Sequence, residues 1–316
     1  MRRLAADYAY DFRSVAPFFS GDPADRAAWS DAIAKAQAFD RRRDELARVI
    51  AAQQTRRHAP PGAIEAGGRL ADPRAVAILT GQQAGLFGGP LFTLLKALTA
   101  LKLADKVARE HGVPATAVFW IDAEDHDWEE VRSCTVFDEQ LVPQRVSLPP
   151  RATGEPAPVA SVRLDASIHA ALGELERILP STDFRTALLS QLRDIYQPGV
   201  GMAEGFGRWL EQVLGSRGLV VYDSSDPASK PLASQVFSRE LSTSGQTANL
   251  AALAGSDLTA RGYHAQVTPH DASPALFRLD APDGRRLAIR HQDGQFVVGD
   301  QHYPAAALMR DRKSVV

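Results

Sequence analysis

The stretch Ala75–Ala104, "AVAILTGQQAGLFGGPLFTLLKALTALKLA", decides the fold. Its first six residues, "AVAILT", are wholly apolar and short, the mark of a strand buried on both faces. "GQQAGLFGG" then breaks the run with glycines and glutamines. Pro90 is placed to open a helix that runs to about Glu110. Leu91, Leu94, Leu95, Leu98 and Leu101 recur at helical spacing and are expected to form its buried stripe. "HGVP" stops the helix, and "ATAVFWI" reads as a second apolar strand. Strand, helix and strand in this order predict a βαβ unit with two parallel strands.

Working outward, residues 1–72 read as a helical N-terminal arm, whose stretch Gly21–Arg57 is alanine-rich and highly charged, with room for one or two helices. Trp29, Ile33, Ala36 and Phe39 fall at helical spacing, and Asp22 before Pro23 is the expected N-cap. "HAPPGAIEAGG" is expected to end the pattern. Residues 73–135 hold the first βαβ unit. Residues 136–216 read as a mostly helical insertion, entered by the extended or hairpin segment "TVFDEQLVPQRVSLPP". Residues 217–261 return to the core through the strand "GLVVYDSSDP" and the helix "ASKPLASQVFSREL". Residues 262–316 turn β-rich: "GYHAQV", "ALFRLDAPDGRRLAIRH" and "QFVVGDQHYP" read as short β segments, with "PDG" and "QDG" as turns. The pattern therefore reads as α/β, a thin parallel sheet with a helical arm and a β-rich insertion.

Composition bounds the function. The chain has 316 residues, 45% hydrophobic and 23% charged, ordinary for a globular protein. A formal net charge of -2 offers no general attraction to nucleic acid or anionic membrane. One cysteine, Cys134, excludes an internal disulfide and suits a reducing compartment. The N-terminus lacks an apolar signal core and no run reaches membrane-span length, so a cytoplasmic protein is expected. Cys134 reads as a buried small hydrophobe. The tryptophans Trp29, Trp120, Trp128 and Trp209 read as packing residues. Arg41–Arg43 and Arg56–Arg57 read as solvated helix faces. His264, His270, His291 and His302 are scattered, without shared spacing.

Two constellations carry candidate chemistry. The turn holding Gly81, Gln82, Gln83, Gly85, Gly88 and Gly89 is neither a dinucleotide fingerprint nor a P-loop. Glycines before a helix N-terminus can nonetheless cradle an anion, with the glutamines orienting it. Equally, the glycines can serve only a tight turn and close packing. The second constellation is "WIDAEDHDWEEV", where Asp122, Glu124, Asp125, His126, Asp127, Glu129 and Glu130 follow a strand. Ligands of parallel sheets bind beyond the strands' carboxyl ends, so turn and cluster should share a crevice. Glu124, Asp125, His126 and Asp127 are the catalytic candidates: His126 for proton transfer, the carboxylates for an ammonium or a divalent metal. Asp125 or Asp127 also suits an N-cap. Ser224, Ser225 and Asp226 end the third strand and would close the other wall, with Asp226 placed as a cap before Pro227. No Cys/His set has zinc spacing, and no metal ligand is assigned.

"LTGQQAGLFGGPLFTLLKALTALKLA" together with "FWIDAEDHDWEEV" resembles the bacillithiol-biosynthesis cysteine-adding enzymes, the BshC family. "YAYDFRSVAPFF", "GLVVYDSSDP" and "GYHAQV" support the resemblance in order along nearly the whole chain. It implies a Rossmann-like core with insertions comparable to the connecting peptides of class I aminoacyl-tRNA synthetases. It implies a ligase joining cysteine to glucosaminyl-malate in the last step of bacillithiol synthesis, with those two molecules as partners. The cofactor is left open, with ATP or ADP the candidate. Family members run on past "QHYPAAALMRD" into further Rossmann strands and a dimerising coiled coil. The chain is thus expected to be a C-terminal truncation, inactive by itself and lacking the homodimer contact. Outside the resemblance, the residues also allow a metal-dependent hydrolase or nucleotidyl transferase, or a non-catalytic nucleotide- or metabolite-binding module.

Overall fold

The computed structural model describes residues 3–39, 42–151, 157–267, 273–280 and 285–310. The chain separates into two compact units. One comprises Arg42–Ser229 with Ala281–Arg286; the other comprises Met1–Arg41, Lys230–Asp280 and Leu287–Val316.

The first unit contains the parallel sheet. Its strands are β1 (Val76–Gln82), β2 (Ala115–Ile121), β3 (Ser133–Phe137), β4 (Pro143–Ser147) and β5 (Val220–Asp223). β1, β2 and β5 form one sheet in that order, all parallel, with β2 central. The crossover between β1 and β2 is the helix Phe92–His111, which packs on both strands. Gly112 ends it in the left-handed conformation, where its N–H returns to the Ala108 carbonyl. β3 and β4 form the expected antiparallel hairpin. Helices Ser167–Ile178, Arg185–Ile195 and Met202–Leu214 complete the insertion.

The period of two in the strands sorts their side chains between two layers. Ala117, Phe119, Ile121 and Val221 face the main core, with Ala97, Ala100 and Leu101 of the crossover helix and Phe206 and Leu210 of Met202–Leu214. Val118, Val220 and Tyr222 face the other way, onto Ile50, Ala66 and Leu70. That second layer is built by helices Arg43–Arg57 and Pro61–Arg69. It leaves the carboxyl end of its face open: Leu79 is 60% exposed and Trp120 40%. The edge of β5 is closed by a side chain. Gln53 Oε1 accepts from the Asp223 N–H at 2.9 Å and its Nε2 donates to the Asp223 carbonyl at 3.0 Å, as a neighbouring strand would.

β6 (Phe277–Asp280), β7 (Arg285–Gln292), β8 (Gln295–Val298) and β9 (Gln301–Tyr303) form one four-stranded sheet in that order, in the second unit apart from the first two residues of β7. Gln292 pairs with Gln295 across the two residues Asp293 and Gly294, both at positive φ, so "QDG" supplies the hairpin turn. Leu241, Leu276, Ile289, Phe296, Val298 and Leu308 form its core. In the same unit Tyr263 Oη donates to Asp7 at 2.8 Å. The "PDG" turn and His270 lie outside the described residues.

Several expectations need correction. Gly21–Arg57 carries two helices as expected, Arg26–Ala38 and Arg43–Arg57, but Pro61–Arg69 is a further helix where the pattern is expected to end. "PPGAIEAGG" is thus helical, because Pro61 at the first helical position needs no N–H partner. Asp25, not Asp22, caps Arg26–Ala38, accepting from the Ala27 N–H. The stripe of the crossover helix is shifted. Leu91 and Leu95 are 72% and 55% exposed, while Thr93, Ala97, Ala100, Leu101, Ala104 and Val107 are buried. Small residues face the sheet because the helix lies close against it. Gly262–Val267 forms no strand. Trp120 is partly exposed rather than packed inside. Arg57 is buried, not solvated.

Candidate functional site

The carboxyl ends of the parallel strands open into a crevice of about 680 Å³. Gly81, Gln82 and Gln83 after β1, Trp120, Asp122 and Glu124 after β2, and Ser224 after β5 all line it. Leu79, Thr80 and Glu130 complete the wall. Backbone pairing holds the rims together: the Asp122 N–H donates to the Gln82 carbonyl at 3.0 Å, one residue beyond the ladder. Ser224 Oγ donates to the Ile121 carbonyl at 3.1 Å, tying the end of β5 to that of β2.

The glycine turn is divided between two jobs. Gly81 lies in the crevice wall, and a Cβ there would stand 2.7 Å from the Trp120 carbonyl oxygen. The rest folds inward. Gly88, at φ +96°, leaves the space that the Trp209 ring fills, and Gly85 lies against Gly89. Phe87 meets the buried Tyr196 ring edge-on at 5.2 Å. Gly85, Gly88 and Gly89 are therefore in packed contact below the turn, away from the crevice lining.

The two glutamines are held by ions. Lys96, in the second turn of the crossover helix, donates from Nζ to Gln82 Oε1 at 2.8 Å and to the Gly81 carbonyl at 3.3 Å. Gln83 Nε2 donates to Asp125 Oδ2. Gln83 Oε1 is buried with no hydrogen-bond partner.

The acidic segment splits in the same way. Asp122 and Glu124 enter the crevice, as does Glu130. Although Asp122 is exposed as a residue, desolvation of its carboxyl, and then the charge of Asp125, push its pKa up. The Arg286 guanidinium, which donates to the Glu124 carbonyl at 3.5 Å, pulls it the other way. Asp125 acts behind the wall, clamping Gln83 and accepting from the His126 N–H at 2.7 Å. His126 is half exposed, its Nδ1 3.4 Å from Asp125 Oδ1, and it lies outside the lining. Asp127 caps the helical turn Trp128–Val131 by accepting from the Glu130 N–H at 3.0 Å. Among the described residues no three His, Cys, Asp or Glu side chains converge as a metal-ligand group.

Of the residues ending β5, Ser224 reaches the crevice. Ser225 Oγ turns back to Asp223 Oδ1 at 2.6 Å. Asp226 accepts from the Ala228 N–H at 3.0 Å, as a cap, and also from Arg56 and Gln53. These charged and amide partners, Arg56 first among the side chains, hold its carboxyl below the usual range against its desolvation.

Sequence reasoning missed Leu79, Thr80, Trp120 and Lys96. The signal for Lys96 was present: a lysine one turn into the most apolar part of the crossover helix, beside the end of β1. Trp120 and Leu79 gave none, because apolar strand residues read as buried.

The family model described as "Bacillithiol biosynthesis BshC, N-terminal Rossmann-like domain" matches residues 1–309. A protein of Salinibacter ruber named "Putative cysteine ligase BshC" is 35% identical over 313 residues, covering 94% of this chain and 55% of the relative. A Solibacter usitatus protein of the same name is 32% identical over 307 residues, covering 97% of this chain and 56% of the relative. The chain spans about half the length of the curated relatives it matches.

Proposed function

The chain belongs to the BshC family, and from that premise we propose that its crevice is a substrate site of a cysteine ligase of bacillithiol biosynthesis. The reaction is amide formation between cysteine and glucosaminyl-malate. The cysteine amine attacks the activated malyl carboxyl carbon. The C–N bond forms as the activating group leaves with the C–O electron pair, and the nitrogen's surplus proton passes to a carboxylate.

The observation that carries this reading is the convergence of Gln82, Gln83, Asp122, Glu124 and Ser224 at the carboxyl ends of three parallel strands. Asp122 and Glu124 face the space where an ammonium would sit, and desolvation, which raises the Asp122 pKa, makes that carboxylate a better proton acceptor than an ordinary surface one. Asp125 supports the wall through Gln83. His126 is exposed and outside the lining, and Asp127 shapes the turn that carries Glu130. The crevice wall does not fit a nucleotide phosphate. Its charged lining side chains are the carboxylates of Asp122, Glu124 and Glu130.

The test is direct. Purified protein is given cysteine and glucosaminyl-malate, with and without ATP, and thiol product is followed by mass spectrometry. Product that falls strongly with Glu124→Gln supports the reading. Product that does not fall in a folded Glu124→Gln variant overturns it.

A further inference from the structure

The two glutamines of the crevice wall are held in opposite senses. Gln82 is held by its oxygen, on which Lys96 Nζ donates at 2.8 Å. What Gln82 has left is its pair of N–H donors. Gln83 is held by its nitrogen, which donates to Asp125. What Gln83 has left is an acceptor, Oε1, buried with no hydrogen-bond partner. Each orientation is dictated by an ion, because an ammonium takes only an acceptor and a carboxylate only a donor.

The rest of the wall extends this polarity. Asp122, Glu124 and Glu130 bring negative charge, and the half-exposed Trp120 ring offers a face that attracts cations. A phosphate or dicarboxylate would meet these carboxylates as like charges. A bare amine would leave the Gln82 donors unused. A head group that both accepts and donates, with its positive end toward the carboxylates, matches the whole wall.

We propose that the crevice binds an α-amino acid by its zwitterionic head, the carboxylate on Gln82 and the ammonium among Asp122, Glu124 and Gln83, with Lys96 as the positioning residue that keeps Gln82 a donor. This rests on the crevice being the ligase's substrate site and assigns to it cysteine rather than glucosaminyl-malate. The volume, about 680 Å³, exceeds an amino acid and leaves space beside it for the acceptor carboxyl.

Calorimetry and ligand-observed NMR on this chain test the assignment with L-cysteine, L-alanine, cysteamine, 3-mercaptopropionate, L-malate and inorganic phosphate. L-cysteine and L-alanine should compete for one site. Cysteamine and 3-mercaptopropionate should bind at least about tenfold more weakly than L-cysteine, each lacking a charge-assisted contact. Gln82→Leu should bring L-cysteine down to the level of cysteamine and leave cysteamine unchanged. Lys96→Met should do so in part, and Lys96→Arg should restore binding. Equal affinity for cysteine and cysteamine overturns the assignment, as does tighter binding of malate or phosphate, or no amino-acid binding at millimolar concentration. A uniform loss for every ligand in Lys96→Met removes its positioning role. The ligase reading fails separately: amino acids bind with these dependences, yet no thiol product forms. Product made as readily from cysteamine as from cysteine would keep the ligase and sink the zwitterion site.

Discussion

Arg57 and Glu211 form a two-pronged ion pair in the interior, Nε to Oε2 at 2.9 Å and a terminal nitrogen to Oε1 at 2.8 Å. That nitrogen also donates to the Val221 carbonyl at 2.6 Å. The pair joins the helix of one layer, the helix of the other and the backbone of β5. Both side chains are almost fully enclosed, at 5% and 1% exposure.

Removing Arg57 strands a buried carboxylate. Arg57→Ala should cost about 3–5 kcal/mol in denaturant unfolding, and Glu211→Gln should cost at least as much because it strands the Arg57 guanidinium, which cannot neutralise by losing a proton. Burial raises the Glu211 pKa, and loss of Arg57 raises it further. The folded state then holds a proton that the unfolded state releases, so Arg57→Ala should become more stable as pH falls from 8 toward 5. A variant whose stability is flat over that range would contradict this.

Gly88 should tolerate no side chain. A Cβ there would meet three Trp209 ring atoms at 2.4–2.8 Å, and the φ of +96° disfavours any L residue. Gly88→Ala should destabilise by about 2–4 kcal/mol, with Trp209 fluorescence reporting the shifted ring. Gly173 in the helix Ser167–Ile178 has nothing within 4 Å, so Gly173→Ala should stabilise by about 0.5–1 kcal/mol. Reversed signs in paired urea titrations would refute the packing account of the turn.

Cys134 is buried, and desolvation, followed by the charge of Glu174, raises its thiol to about 11. Thiolate is the reacting form. A disulfide reagent at pH 8 should therefore label the folded protein far more slowly than protein unfolded in guanidinium. Rapid stoichiometric labelling of the native chain is the contrary result.

Asp122 should trade stability for charge. A raised carboxyl pKa favours the folded state at low pH, and that benefit is lost as pH rises through the folded value. Asp122→Asn should match the parent in thermal melts near pH 3 and exceed it at pH 7, while losing ligand ammonium binding. Equal melting at pH 7 would show that its desolvation is relieved in solution.

Much of the core was legible because its signals are local. "ATAVFWI" is β2 from end to end, since an apolar run of that length between a glycine stop and an acidic segment has few alternatives. The parallel order followed from the helix between the strands. The site was legible only in outline. Gln82, Gln83 and Glu124 do reach a common crevice, as their places at strand ends required. His126, Ser225 and Asp226 stand equally near those ends in sequence, yet their side chains turn to Asp125, Asp223 and Arg56.

The sequence by itself determined the βαβ unit, the third parallel strand, the hairpins and the family, because periodicity and motif lie within a few tens of residues. Tertiary structure alone decided which side chains meet water. Arg57 is buried by a glutamate 154 positions away, Gln83 is oriented by an aspartate 42 positions away, and Trp120 is left open where the helical layer ends. Burial is set by what packs over a residue, and no local pattern carries that information.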